Sequence, residues 1–184
     1  MDTSFDPTPA QTNATAGLAT RLGLRFGVGA GVACAIWMVV LQLTGSNGFG
    51  PKQIMAQLLV PLAAVASQWI LRRQLKPAKP GLGRSLGVGV FTVLVAAFIS
   101  AGSLVGLAYG AGEKALAGHR AEVLEIVRAQ QRENSKVVLS AQQKQEQVQR
   151  VADLSVGDMA ISNFTQLLLM GLALAVPSGI FLRE

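Results

Sequence analysis

Polar and apolar positions alternate along this chain in long blocks rather than short periods. Four apolar stretches, roughly 22–44, 53–71, 86–109 and 159–181, contain hardly a charge. Each approaches the ~20 residues an α-helix needs to cross ~30 Å of hydrocarbon. The pattern predicts an all-α integral membrane bundle of four transmembrane helices, in which lipid takes the place of water as solvent. Between the third and fourth stretches lies the one large polar block, 113–154, rich in Ala, Glu, Gln, Lys, Arg and Leu, all good helix formers. One unbroken helix of ~42 residues would extend about 60 Å, yet the fourth span must enter beside the third. The block therefore has to fold back. Arg132–Lys136 supplies the break, and an extracytoplasmic helical hairpin, a short coiled coil, follows. Its arms are Glu113–Arg132 and Lys136–Asp153, with Val123, Ile126, Val127, Val137, Val138 and Val148 at the seam. A helix resting on the lipid surface is the alternative.

Turn and cap residues mark the ends of the spans. The glycine-rich GSNGFGPK (Gly45–Lys52) separates the first two, with Pro51 suited to a helix start. Pro61 falls inside the second span and predicts a kink. Ser155 with Asp158 three residues on resembles a capping box. Residues 1–20 lack an apolar run and read as a disordered cytoplasmic tail; 21–184 read as a single membrane domain.

Charge supplies orientation. Of the formal net charge of +6, the stretch Leu71–Arg84 carries Arg72, Arg73, Lys76, Lys79 and Arg84 without an acid, whereas 113–158 is balanced. Basic loops stay inside, so this loop and both termini are expected in the cytoplasm, and the loop at 45–52 and the polar block outside. The cluster suits anionic lipid head groups and topology rather than nucleic acid. Trp69 beside Arg72 and Arg73 reads as an interfacial anchor.

Candidate chemistry is sparse. No Asp, Glu, Lys, Arg or His lies near any mid-span, which argues against a proton-coupled pump. The single histidine, His119, is expected on the polar surface, with Arg120 and Arg128 neutralising Glu122 and Glu125. The single cysteine, Cys34, is expected as a small buried apolar residue. Small residues recur every fourth position at Gly23, Gly27 and Gly31, at Gly102, Gly106 and Gly110, and at Gly171, Ala175 and Gly179. Such strips let helix backbones pack closely, within the bundle or against a second protein. Gln57, Asn163 and Gln166 form a candidate polar lining, with Asn163 and Gln166 expected to bond across to Gln57. No catalytic, metal-binding or cofactor-binding set is evident.

The RFGVGAG opening of the first span (Arg25–Gly31), the GRSLGVG entry of the third (Gly83–Gly89) and the PSGIFLRE ending (Pro177–Glu184) resemble bacterial membrane proteins of domain-of-unknown-function family 4199. The resemblance covers residues 22–184. It implies the four-span fold and a bacterial cytoplasmic membrane, and brings no activity. The expectation for function is a non-catalytic interaction, assembly or scaffold component, with the bilayer, another membrane protein or a second copy as partner. The alternative is a channel or carrier for a small neutral solute.

Overall fold

The computed structural model describes residues 9–77, 79–133 and 140–182. In chain order the helices are α1 (Pro9–Leu43), a 3₁₀ turn (Pro51–Gln53), α2 (Ile54–Gln57), α3 (Leu59–Leu75), α4 (Leu82–Glu133), α5 (Ala141–Ala152) and α6 (Val156–Phe181). Four helical stretches, Gly17–Leu43, Pro51–Leu75, within Leu82–Arg132, and Val156–Phe181, are long and apolar enough to cross a membrane. The expected tail differs from Pro9 onward, where it is helical. Proline is tolerated at a helix start, and the Ala- and Thr-rich residues behind it add turns to a helix already nucleated by the span. Residues 1–8 lie outside the described residues.

α1 ends in a Schellman motif, with Gly45 at φ 77° and Ser46 N–H donating to the Leu41 carbonyl at 2.9 Å. The second span is divided between α2 and α3 at Leu58. Pro61 causes this one turn upstream, because it has no N–H to offer the Gln57 carbonyl. α4 runs on beyond its apolar part through a kink at Gly112, whose φ 76° and ψ 177° lie in a region open essentially only to glycine. Ser140–Gln143 and Ser155–Asp158 both form complete capping boxes.

α4 packs against α1, α3 and α6 and so forms the centre of the bundle. Its ridge Phe91, Val95, Ile99 fits the groove left by Gly23, Gly27 and Gly31 of α1. Both series ascend together, so α1 and α4 run parallel. Gly171 meets Val93 and Gly179 meets Leu86, so α6 runs antiparallel to α4. The start of α1, the end of α6 and the α3–α4 connection therefore share one end of the bundle. The α1–α2 loop, the part of α4 beyond Gly112 and α5 share the other. The middle is closed by fully buried Val60, Ala64, Val93, Ala97, Leu167 and Ala175.

Beyond Gly112 the helix leans over the bundle. Leu116 packs with Met38, Phe49, Leu104, Ala108 and Met159. Arg120 Nε and Nη2 donate to the Leu154 carbonyl at 3.0 and 2.9 Å, and its Nη1 pairs with Glu113 at 3.0 Å. Arg120 is thus engaged with Glu113 and the α5–α6 corner, not with Glu122. α5 returns alongside α4, where Gln131 Nε2 donates to Gln147 Oε1 at 2.9 Å. The expected seam is only partly present: Val127 and Val148 are half-buried, Val123 turns to the bundle and Ile126 is exposed. Arg132 and Glu133 still belong to α4; the rest of the proposed break, with Val137 and Val138, lies outside the described residues.

Candidate functional site: a polar cleft at the loop end

The loop end holds a cleft of about 410 Å³ between the 3₁₀ turn and α2, α4 and α6, within the roughly 300–1,000 Å³ usual for small-molecule sites. Gln57, Asn163 and Gln166 all line it. A buried hydrogen-bond relay crosses its wall. Ser100 Oγ donates to Asn163 Oδ1 at 3.1 Å, Asn163 Nδ2 to Gln53 Oε1 at 3.2 Å, and Gln53 Nε2 to the Gly48 carbonyl at 2.6 Å. The expected bonds from Asn163 and Gln166 to Gln57 are therefore absent. Asn163 is committed to Ser100 and Gln53, and Gln166 is exposed on α6. Gln57 is only 4% exposed, and its Oε1 is buried with no hydrogen-bond partner among the described residues. In hydrocarbon such a group costs several kcal/mol.

The rim of the cleft is built from the arm. His119 is 8% exposed, contrary to the expected surface position, because the Gly112 kink swings its face of the helix onto the bundle. It stacks at a tilt on Phe49, ring centroids 5.8 Å apart. Asn47 Oδ1 accepts from the Phe49 N–H at 2.9 Å. That fixes the amide, so its Nδ2 donates both to His119 Nδ1, at 3.0 Å, and to Glu122 Oε2. An imidazole accepting at Nδ1 is neutral, with its proton on Nε2. Burial lowers its pKa from the ordinary 6.5, and the Glu122 carboxylate opposes that shift. Asp158, at the cleft's outer edge, accepts from the Ser155 hydroxyl and backbone N–H at 2.6 and 3.1 Å.

At the opposite end Gln68 is the counterpart of this relay, donating to the Ala175 carbonyl at 2.8 Å and accepting from Ser178 Oγ. It lies against Gly89, where a β-carbon would collide with its amide, and close to Gly179, where a β-carbon would strike Leu86. Gly89 lies outside the three strips singled out from the sequence. Cys34 is buried, as expected, against the Ala56 carbonyl. The guanidinium of Arg73 sits 5.6 Å from the centre of the Trp69 ring, a cation–π contact beside Arg72 and the exposed Lys76 and Lys79; Arg84 opens α4 nearby.

The glycine strips divide. A β-carbon at Gly23, Gly27, Gly31, Gly171 or Gly179 would strike α4 or its side chains, whereas at Gly102, Gly106 or Gly110 it would meet nothing within 4 Å. Inside this bundle the Gly102–Gly106–Gly110 strip is not used. It instead borders a shallow apolar groove with Ile36, Val39 and Val40 of α1. Among the described residues no group of three or more His, Cys, Asp or Glu is placed to hold a metal.

A family model described as a protein of unknown function (DUF4199) matches residues 25–184. The chain belongs to this DUF4199 family. In this DUF4199 chain the match takes in every helix that builds the cleft, the Gly112 kink and both capping boxes. No curated protein and no solved structure matches it.

Proposed function

We propose that the protein is a non-catalytic interaction component of a bacterial cytoplasmic membrane, with its charged arm as the partner surface. The observation that carries the reading is how the arm is held. Two neighbouring membrane helices need only ~2–8 connecting residues, yet α4 and α6 are joined through two further helical stretches pinned by Arg120, His119 and Asn47. Their outward faces, with Glu125, Arg128, Lys144 and Glu146, stay exposed. A fixed, solvated polar surface of this kind suits a protein partner. The open Gly102–Gly106–Gly110 strip suits a second membrane helix, either another protein's or a second copy's. The Arg72–Arg84 cluster faces anionic lipid at the cytoplasmic side, with both termini there and the arm outside.

Crosslinking in native membranes tests this. Photo-crosslinkers at Arg128 and Lys144 should capture one discrete companion, and that companion should vanish from mild-detergent pull-downs when 113–153 is replaced by a short linker. Capture of nothing at either position sinks the reading. A carrier for a small neutral solute is the second reading, favoured by the polar cleft. About one turn beyond Gln57 and Asn163 the bundle core is closed, with Val60, Ala64 and Leu167 each 0% exposed, so passage needs a further opening of the bundle.

A further inference from the structure

The cleft also has features that a partner-binding arm does not require. On its walls the Gln57 Oε1 is buried with no hydrogen-bond partner among the described residues, and the exposed Ser162 and Gln166 line the same cleft. Ser162 and Gln166 lie on one face of α6 with Asp158, at successive four-residue steps, and all three are exposed. Gln166 is eight residues along from Asp158, which at 1.5 Å per residue is about 12 Å deeper in the span. The polar stripe therefore descends from the interface into the depth where hydrocarbon would otherwise lie against it. Across from it Ile54 is 47% exposed, so the cleft opens sideways between α2 and α6. Its mouth is polar on one wall and apolar on the other.

The geometry points to this lateral cleft as a binding site for an uncharged, hydroxyl-bearing amphiphile, its head among Gln57, Ser162 and Gln166 and its tail leaving past Ile54 into the bilayer. The orphaned Gln57 oxygen asks for a donor, which a hydroxyl supplies once the amide turns towards the cleft. Ser162 and the Gln166 amide exchange hydrogen bonds with the same group. Charge selects the class. Among the described residues no Lys or Arg lines the cleft, while Asp158 stands at its edge, so a phosphate head meets repulsion and no counter-charge there. The closed core beyond it makes it a seat rather than a passage, and the site stands whether or not the arm docks a partner.

The test uses the full chain in phosphatidylcholine vesicles doped with one of two photoreactive lipids. Both carry a diazirine on the acyl chain near the glycerol; one is a diacylglycerol, the other a phosphatidylglycerol. After irradiation, labelled peptides are mapped by mass spectrometry. The diacylglycerol should concentrate on 54–60 and 159–168, roughly five-fold above phosphatidylglycerol, the scale of one net hydrogen bond. Gln57→Leu should lower that labelling by a similar factor, while Gln74→Leu at the other end leaves it unchanged. Ser162→Ala, on an exposed face, should lower it too and serves if Gln57→Leu fails to fold. Labelling spread evenly round the bundle, equal labelling by phosphatidylglycerol, or labelling indifferent to the cleft substitutions would each overturn the assignment.

Discussion

At the scale of single residues the structure turns on how a few polar groups are satisfied in a chain with little water around it. His119 shows this most clearly. Sequence context, a lone imidazole among charged neighbours, points to the surface, and only the Gly112 bend brings it against Phe49 and Asn47. Its pKa is lowered in the fold, so between the folded value and the ordinary 6.5 the unfolded chain binds the extra proton. Its contribution to stability is therefore complete above about pH 6.5 and is lost as pH falls through the folded value. Protonation would also set an N–H against the Asn47 donor. Thermal unfolding in detergent should give a falling midpoint on acidification from pH 7.5 to 5, and His119→Gln should flatten that slope. A wild-type midpoint independent of pH would remove this account of the rim. The Gln57 amide makes the complementary point. That it would line a polar site with Asn163 and Gln166 is readable from their depth in two spans. That Asn163 would bond to Gln53 and Ser100 instead is not, since a side chain's partner depends on the rotation of each helix about its axis.

At the scale of elements the close approach of helices decides the architecture. Three strips have the same four-residue spacing, and the spacing alone cannot tell which face a helix turns inward. The neighbours decide: α1 lays its strip on the Phe91–Val95–Ile99 ridge, α6 lays its own on Val93 and Leu86, and α4 turns its strip away. The two classes should separate on substitution. Gly27→Leu forces a side chain against the Thr92 carbonyl and Val95 and should cost about 1–3 kcal/mol or more, read as earlier unfolding in a denaturing-detergent titration. Gly106→Leu should change that titration by less than about 0.5 kcal/mol. Equal losses at both positions would mean that the α1–α4 interface has been misassigned.

At the scale of the whole molecule the bundle is polarised. One end gathers the start of α1, the end of α6, Trp69 and the basic cluster; the other gathers the α1–α2 loop, the described part of the arm and the cleft. With Cys34 buried, single cysteines placed at Lys79 and at Arg128 report on each end without background. In intact cells a membrane-impermeant maleimide should label the Arg128 site and spare the Lys79 site until the cells are opened. The reverse pattern would invert the orientation and put the cleft on the cytoplasmic face.

The amino-acid sequence by itself determined the four spans, their breaks at glycine and proline, the capping at Ser155 and the family. Those follow from local facts: hydrocarbon thickness, backbone freedom and the need of every peptide group for a partner. The tertiary structure alone decided which glycine strips are clamped, that the arm bends at Gly112 to bury His119, and that Gln57 is left without a donor beside an open lateral cleft. These depend on the relative rotation and tilt of helices far apart in the chain, which weak, numerous contacts set together and no short stretch of residues encodes.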